Sequence, residues 1–215
     1  MSTDLLPEPA FRRLQWALVA VTAMVVMAGL TWRAVYADTQ SGPVKLPQAD
    51  YQSALKGARF VVGDRSQRFC VLEFFDYECP PCRVVTPKVH ALVLANKGKV
   101  SLALQNFPLN MHPHARQLAL VACVLNQADF DKFDPGAISL YGGQLDKLLD
   151  FWRKHLDRVR PAWLTEARQN LEWERLAGAQ LMVDSTPSLF VVDRLKGITY
   201  RCPTLKALQS VISGA

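Results

Sequence analysis

The segment Val71-Leu72-Glu73-Phe74-Phe75-Asp76-Tyr77-Glu78-Cys79-Pro80-Pro81-Cys82 constrains this chain most. It opens as an apolar run rich in Val and Phe, which reads as a buried strand, and it closes in a Cys-x-x-Cys pair. Beyond Cys82 the pattern from Arg83 to Leu92 is helical, with Pro87 inside it as an expected kink. The two thiols therefore stand where a strand hands over to a helix. A helix N-terminus carries partial positive charge and free N–H groups, and both favour an anion. Here that anion is the thiolate of Cys79; thiols in such motifs have pKa values of roughly 3.5–7.5. Pro80 and Pro81 suit the first turn, where an N–H would lack a partner anyway. Thiol–disulfide exchange needs a thiolate nucleophile and a second thiol to resolve the mixed disulfide. Cys79 is expected to be the nucleophile, and Cys82, one turn on, the more buried resolving thiol.

A Cys-x-x-Cys has two other uses. A zinc site normally needs a second such pair or close histidines, and Cys70, Cys123 and Cys202 form no second pair. No metal is therefore expected. A structural disulfide across a two-residue loop would stabilise little. His112 and His114 flank Pro113 with no third ligand in view, so loop or helix-capping roles are expected for them. Glu73 interrupts the apolar strand. A charged residue there is either paired in the interior or placed on an exposed edge.

The run Leu72 to Cys82 resembles the active-site segment of the DsbA-like thiol–disulfide oxidoreductases. A second match, Ser185-Thr186-Pro187-Ser188-Leu189-Phe190-Val191, is similar to that family's Thr-Pro segment. The resemblance implies an α/β thioredoxin-like fold with a helical insertion. It implies a cis Pro187 facing the cysteines, with the Thr186 backbone left to pair with an extended substrate. It also implies a buried Glu73 beneath the cysteines, relaying the proton of the second thiol. Many strong oxidants of the family carry a histidine between the cysteines, where this chain has Pro80-Pro81. Glu78 would disfavour a thiolate at Cys79, and Arg83 would favour one. No cofactor is expected beyond the Cys79–Cys82 disulfide itself.

The N-terminal region asks for a membrane. Residues 1–13 form a short tail, expected on the cytoplasmic side, that ends in Arg12-Arg13. From Leu14 to Trp32 there is no charge, and nineteen residues give about 28 Å of helix against a hydrocarbon core of roughly 30 Å. Trp16 and Trp32 sit near its two ends, as interfacial anchors do. The expectation is an uncleaved transmembrane anchor; the alternative is a signal sequence cleaved after Ala37. Residues 33–51, with Pro43 and Pro47, read as a linker, and 52–215 as the thioredoxin-like domain, with the helical insertion over about 109–183. The net charge of +6 is scattered, with acids interleaved and no basic stripe, so nucleic-acid binding is not expected.

Within the domain, strands are expected at Arg59–Val62, Phe69–Phe75 and Val100–Gln105, then helices at His114–Asn126, Gln144–Val159 and Trp163–Val183. A hairpin of Leu189–Asp193 and Ile198–Arg201 and a closing helix at Leu205–Ile212 follow. Trp152, Trp163 and Trp173 are expected to serve the core. Five cysteines leave at least one thiol free or paired between chains. The expected function is disulfide exchange with exported protein substrates, at the inner membrane with the catalytic domain in the periplasm or another extracytoplasmic space, served by a membrane redox partner. The alternatives are a reductase or isomerase fed by a membrane electron donor, and a non-catalytic binding module of an envelope assembly that uses the groove beside Thr186-Pro187.

Overall fold

The computed structural model describes residues 8–40, 42–46, 51–126, 150, 153–154 and 160–214. The chain divides into two units, Met1–Gly42 and Pro43–Ala215.

The first unit is one helix, α1 (Glu8–Gln40). Arg12 is exposed, and so are all the side chains of the run from 15 to 31. That run is apolar apart from Gln15 and two threonines, whose hydroxyls donate back to carbonyls one turn earlier, Thr22 to Leu18 at 2.8 Å and Thr31 to Met27 at 3.0 Å. Among the described residues no helix is long and apolar enough to cross a membrane. The transmembrane span expected over 14–32 is therefore not supported among the described residues.

The second unit is built on a six-stranded sheet. Its strands are β1 (Val44–Leu46), β2 (Arg59–Val62), β3 (Phe69–Phe75), β4 (Val100–Asn106), β5 (Ser188–Asp193) and β6 (Ile198–Arg201), in the order β1-β6-β5-β3-β4-β2. The parallel pair is β3 with β4, joined by a crossover through α3 (Pro80–Ala95); the other pairings are antiparallel. The remaining helices are α2 (Tyr51–Ala54), α4 (Ala115–Asn126), α5 (Pro161–Gln180) and α6 (Leu205–Ser213).

Alternation along β3 sends Phe69, Val71 and Phe75 to one face, against Cys82, Val89 and Val93 of α3 and Leu208 and Ile212 of α6. Cys70, Leu72 and Phe74 go to the other, against Ala177 of α5 and Ala54 of α2. All seven residues of β3 are buried, which is why the strand reads as an unbroken apolar run rather than an alternating one. Phe74 meets Phe190 and Phe107 edge to face, with ring centroids 5.7 and 6.0 Å apart. The expected strands, hairpin and closing helix are in place within a residue or so.

Two features depart from the sequence expectation, and a third lies beyond the described residues. The linker assigned to 33–51 is structured in part: α1 continues to Gln40, and Val44–Leu46 forms β1 on the edge of β6, Val44 opposite Arg201 and Leu46 opposite Thr199. Three residues between two prolines are too few to show a period. The helix expected at 163–183 begins at Pro161, which sits at its N-terminus, and stops at Gln180 because Met182 takes a left-handed φ of 53°. The middle helix of the insertion, 144–159, lies almost wholly outside the described residues, as does Trp152.

Gly178 is the glycine that packing demands. A Cβ there would lie 2.5 Å from the Phe107 ring and 3.3 Å from Phe74, so α5 can approach the sheet only without one. Gly178→Ala gains helix propensity of about 1 kcal/mol but overpacks the core. A net loss of about 1–3 kcal/mol is expected, read as a lower midpoint in urea unfolding with an unchanged slope.

Candidate active site

Where β3 ends, one buried carboxylate arranges the next few residues. Asp76 Oδ1 accepts the Glu78 N–H at 2.8 Å, and the Asp76 carbonyl accepts the Cys79 N–H at 3.1 Å. Its Oδ2 accepts the Leu109 N–H at 2.8 Å and lies 2.7 Å from His112 Nδ1. The same loop returns through His114, whose backbone N–H donates to Glu78 Oε2 at 2.7 Å and whose Nδ1 is 3.0 Å from Oε1. Burial alone would raise the Glu78 carboxyl, but the His114 contacts outweigh it and hold it below the ordinary range. His112 and His114 thus serve as loop fasteners, as the sequence suggested. Asp76 as the hub was not foreseen; an Asp directly after a buried strand was the available signal.

This turn delivers Cys79 as the N-cap of α3, in extended conformation, with Pro80 and Pro81 in the first turn. Its side chain caps nothing in the helix; the thiol donates to the Thr186 carbonyl at 3.1 Å. The Thr186–Pro187 bond is cis. The two distant motifs are therefore in contact. Cys79 is 4% exposed and Cys82 fully buried, and both are free thiols. Burial pushes the Cys82 thiol well up, and the neighbouring Cys79 adds to the rise, opposed by contacts with Asp76 and Thr186.

Glu73 takes the interior alternative. It is on the α3 face of β3, with no exposed surface. Thr86, one turn beyond Cys82, donates its hydroxyl to Glu73 Oε1 at 2.5 Å, while Oε2 has no hydrogen-bond partner. Burial raises this carboxyl to about 7 against the pull of the Thr86 hydrogen bond. Thr86 had no signature in the sequence, since a threonine mid-helix commonly bonds its own backbone.

Residues 56–148 match the family model described as thioredoxin. The chain is 29% identical over 160 residues to the Na(+)/H(+) antiporter NhaA 3 of Salinispora tropica, across 68% of this chain and 24% of that protein. It thus spans about a quarter of that relative's length. The thiol-disulfide exchange protein alpha-DsbA2 of Wolbachia pipientis superposes with a TM-score of 0.55 at 16% identity, over 76% of this chain and 91% of that one. Together these likenesses show a thioredoxin-like fold. A periplasmic thioredoxin-like protein of Salmonella enterica serovar Typhimurium shares the fold with a TM-score of 0.59 at 11% identity, over 79% of this chain and 97% of that one.

The other three cysteines of this thioredoxin-like domain are buried free thiols, spread over the fold. Cys70 lies on the opposite face of β3 from Glu73, and burial pushes it up. Burial raises Cys202, after β6, to about 12. Cys123 on α4 donates weakly to Glu174 Oε2 at 3.6 Å, and burial and that carboxylate together raise it. Glu174 is a second interior carboxyl that sequence reading missed. It holds Asn106 Nδ2 at 2.9 Å and is raised to about 7, chiefly by burial. The signal was its place in the stripe Ala167, Leu171, Glu174, Ala177. Among the described residues no group of His, Cys, Asp and Glu is arranged to hold a metal ion.

A carboxyl at about 7 in the fold and near 4.5 unfolded stabilises fully below pH 4.5 and loses that contribution as pH rises through 7. Glu73→Gln removes the loss. It is expected to exceed the parent in stability at pH 8 by about 3 kcal/mol and to match it at pH 4.5, measured by urea unfolding at the two pH values. Equal stabilities at pH 8 would contradict the interior placement.

Proposed function

We propose that this protein is a membrane-tethered thiol–disulfide oxidoreductase that exchanges disulfides with exported proteins through Cys79 and Cys82. The observation that carries the reading is the Cys79 thiol 3.1 Å from the Thr186 carbonyl at the cis Thr186–Pro187 bond. In the oxidising direction a substrate thiolate attacks Cys79 of the Cys79–Cys82 disulfide. The new bond is substrate–Cys79, and Cys82 leaves with the electron pair and takes a proton. A second substrate thiolate then attacks its partner sulfur, and Cys79 leaves as a thiolate beside the α3 N-terminus, which favours negative charge. The substrate loses two electrons and the protein gains them. The reverse order reduces or rearranges substrate disulfides.

Glu73 is the group matched to the proton step. A thiol raised by burial is a poor leaving group unless it is protonated as it departs, and a carboxyl near 7 is part protonated at neutral pH. Thr86 holds it in place. The substrate pairs as an extended strand with the Thr186 backbone, beside a 290 Å³ groove lined by Pro187, Val85 and Leu205. The sulfur pair carries the electrons, so the step needs no bound cofactor, and a membrane redox partner resets the pair. Helix α1 supports the tether: its exposed run from 16 to 31 is apolar apart from two threonines, whose hydroxyls are satisfied internally, as an apolar surrounding requires. An oxidising, periplasm-like compartment fits a reactive disulfide.

In cells, Cys82→Ala is expected to accumulate mixed disulfides that reductant releases and that vanish in the Cys79→Ala/Cys82→Ala double variant. A variant that captures nothing contradicts exchange, and partners retained under reductant indicate a binding module. Glu73→Gln is expected to slow turnover at pH 7 at least tenfold and to flatten the rate profile near pH 7, with Cys79 alkylation intact.

A further inference from the structure

A second concave site lies between the two described helices of the insertion. Its volume is about 340 Å³, and it is lined from α4, α5 and the strand-to-helix loop before α4. This is within the size range of small-molecule pockets. Its apolar part is Pro108, Leu120 and Leu171. Leu120 and Leu171 belong to the satellite core that joins α4 to α5, so this floor is held by packing. Its charged part is three arginines, Arg116 on α4 and Arg168 and Arg175 on α5, with Glu172.

The spacing makes this a built site. Arg116 and Leu120 are one turn apart on α4. Arg168, Leu171, Glu172 and Arg175 follow the i, i+3, i+4, i+7 stripe of one face of α5. α4 therefore contributes one guanidinium beside Leu120, and α5 two on either side of Leu171. Glu172 is engaged by Arg175 in a two-point pair, 2.7 and 3.1 Å. Arg116 lends its field to Glu172, yet neither it nor Arg168 has an ion pair among the described residues. Two guanidinium charges beside a concave apolar floor call for a ligand that is both anionic and apolar.

We propose that this α4–α5 pocket binds a small amphipathic anion, a carboxylate carried on a compact apolar body. The carboxylate sits between Arg116 and Arg168, and the body covers Leu120 and Leu171. The site uses no residue of the cysteine chemistry, so it stands or falls apart from the exchange reading.

The test is titration of the full chain, calorimetrically, with 3-phenylpropanoate, 3-phenylpropanol and inorganic phosphate. The acid is expected to bind at one site, at least tenfold more tightly than the alcohol, which lacks the charge, or phosphate, which lacks the body. Arg116→Gln/Arg168→Gln, both at exposed positions, is expected to weaken the acid at least tenfold. The proposal is overturned by no binding of the acid, by equal binding of the alcohol or phosphate, or by an unchanged affinity in the double variant.

Discussion

Strand β3 is hidden from water on both faces, and the position of every group at the site descends from that burial. Its apolar side chains pack against α3 and α6 on one side and against α5 and α2 on the other. Each fully buried Val, Leu or Phe contributes about 1.5–3 kcal/mol, so the strand's register is strongly held. A slip of one residue would turn Glu73 away from Thr86 and carry Leu72 and Phe74 to the wrong layer. The end of β3 therefore fixes where the chain emerges, and the Asp76 carboxylate fixes the direction of exit by holding three groups at once. Cys79 arrives at the tip of α3 facing Thr186 because both of those constraints act upstream of it.

The interior carboxyls show how one side-chain chemistry takes different roles by environment. Glu174 bridges Asn106 and Cys123 and joins α4 and α5 to the sheet. Glu73 has a single hydroxyl partner and one orphaned oxygen. A buried polar atom without a partner costs about 1–3 kcal/mol, which the packing around β3 can offset. The satisfied carboxyl behaves as a structural bridge. The half-satisfied one is held by Thr86, a residue one turn beyond Cys82 on α3.

Much of this was readable from residue order. The apolar run into Cys-x-x-Cys, the alternation of Val100–Gln105 and the Gly197 hairpin mark their elements by local period and turn chemistry. Val44–Leu46 was not readable, because a three-residue strand takes its hydrogen bonds from an edge supplied by β6, some 150 residues away. The Asp76–His112 and Glu78–His114 fasteners were half legible. The histidines stood out as loop residues, but their carboxylate partners lie 36 residues earlier and become neighbours only when the chain folds back.

By itself, the sequence determined that a pair of cysteines would stand at the start of a helix directly after a buried strand, since hydrophobic period, proline placement and cysteine spacing all act over a dozen residues. It also determined the apolar character of 14–32, a property of composition. Only the tertiary structure decided that Cys79 touches the Thr186 carbonyl, that Glu73 faces inward with Thr86 as its partner, and that α4 and α5 close around a cationic pocket. Those outcomes depend on which faces of the sheet the helices cover, and that is settled by packing between segments far apart in the chain, where no local pattern reaches.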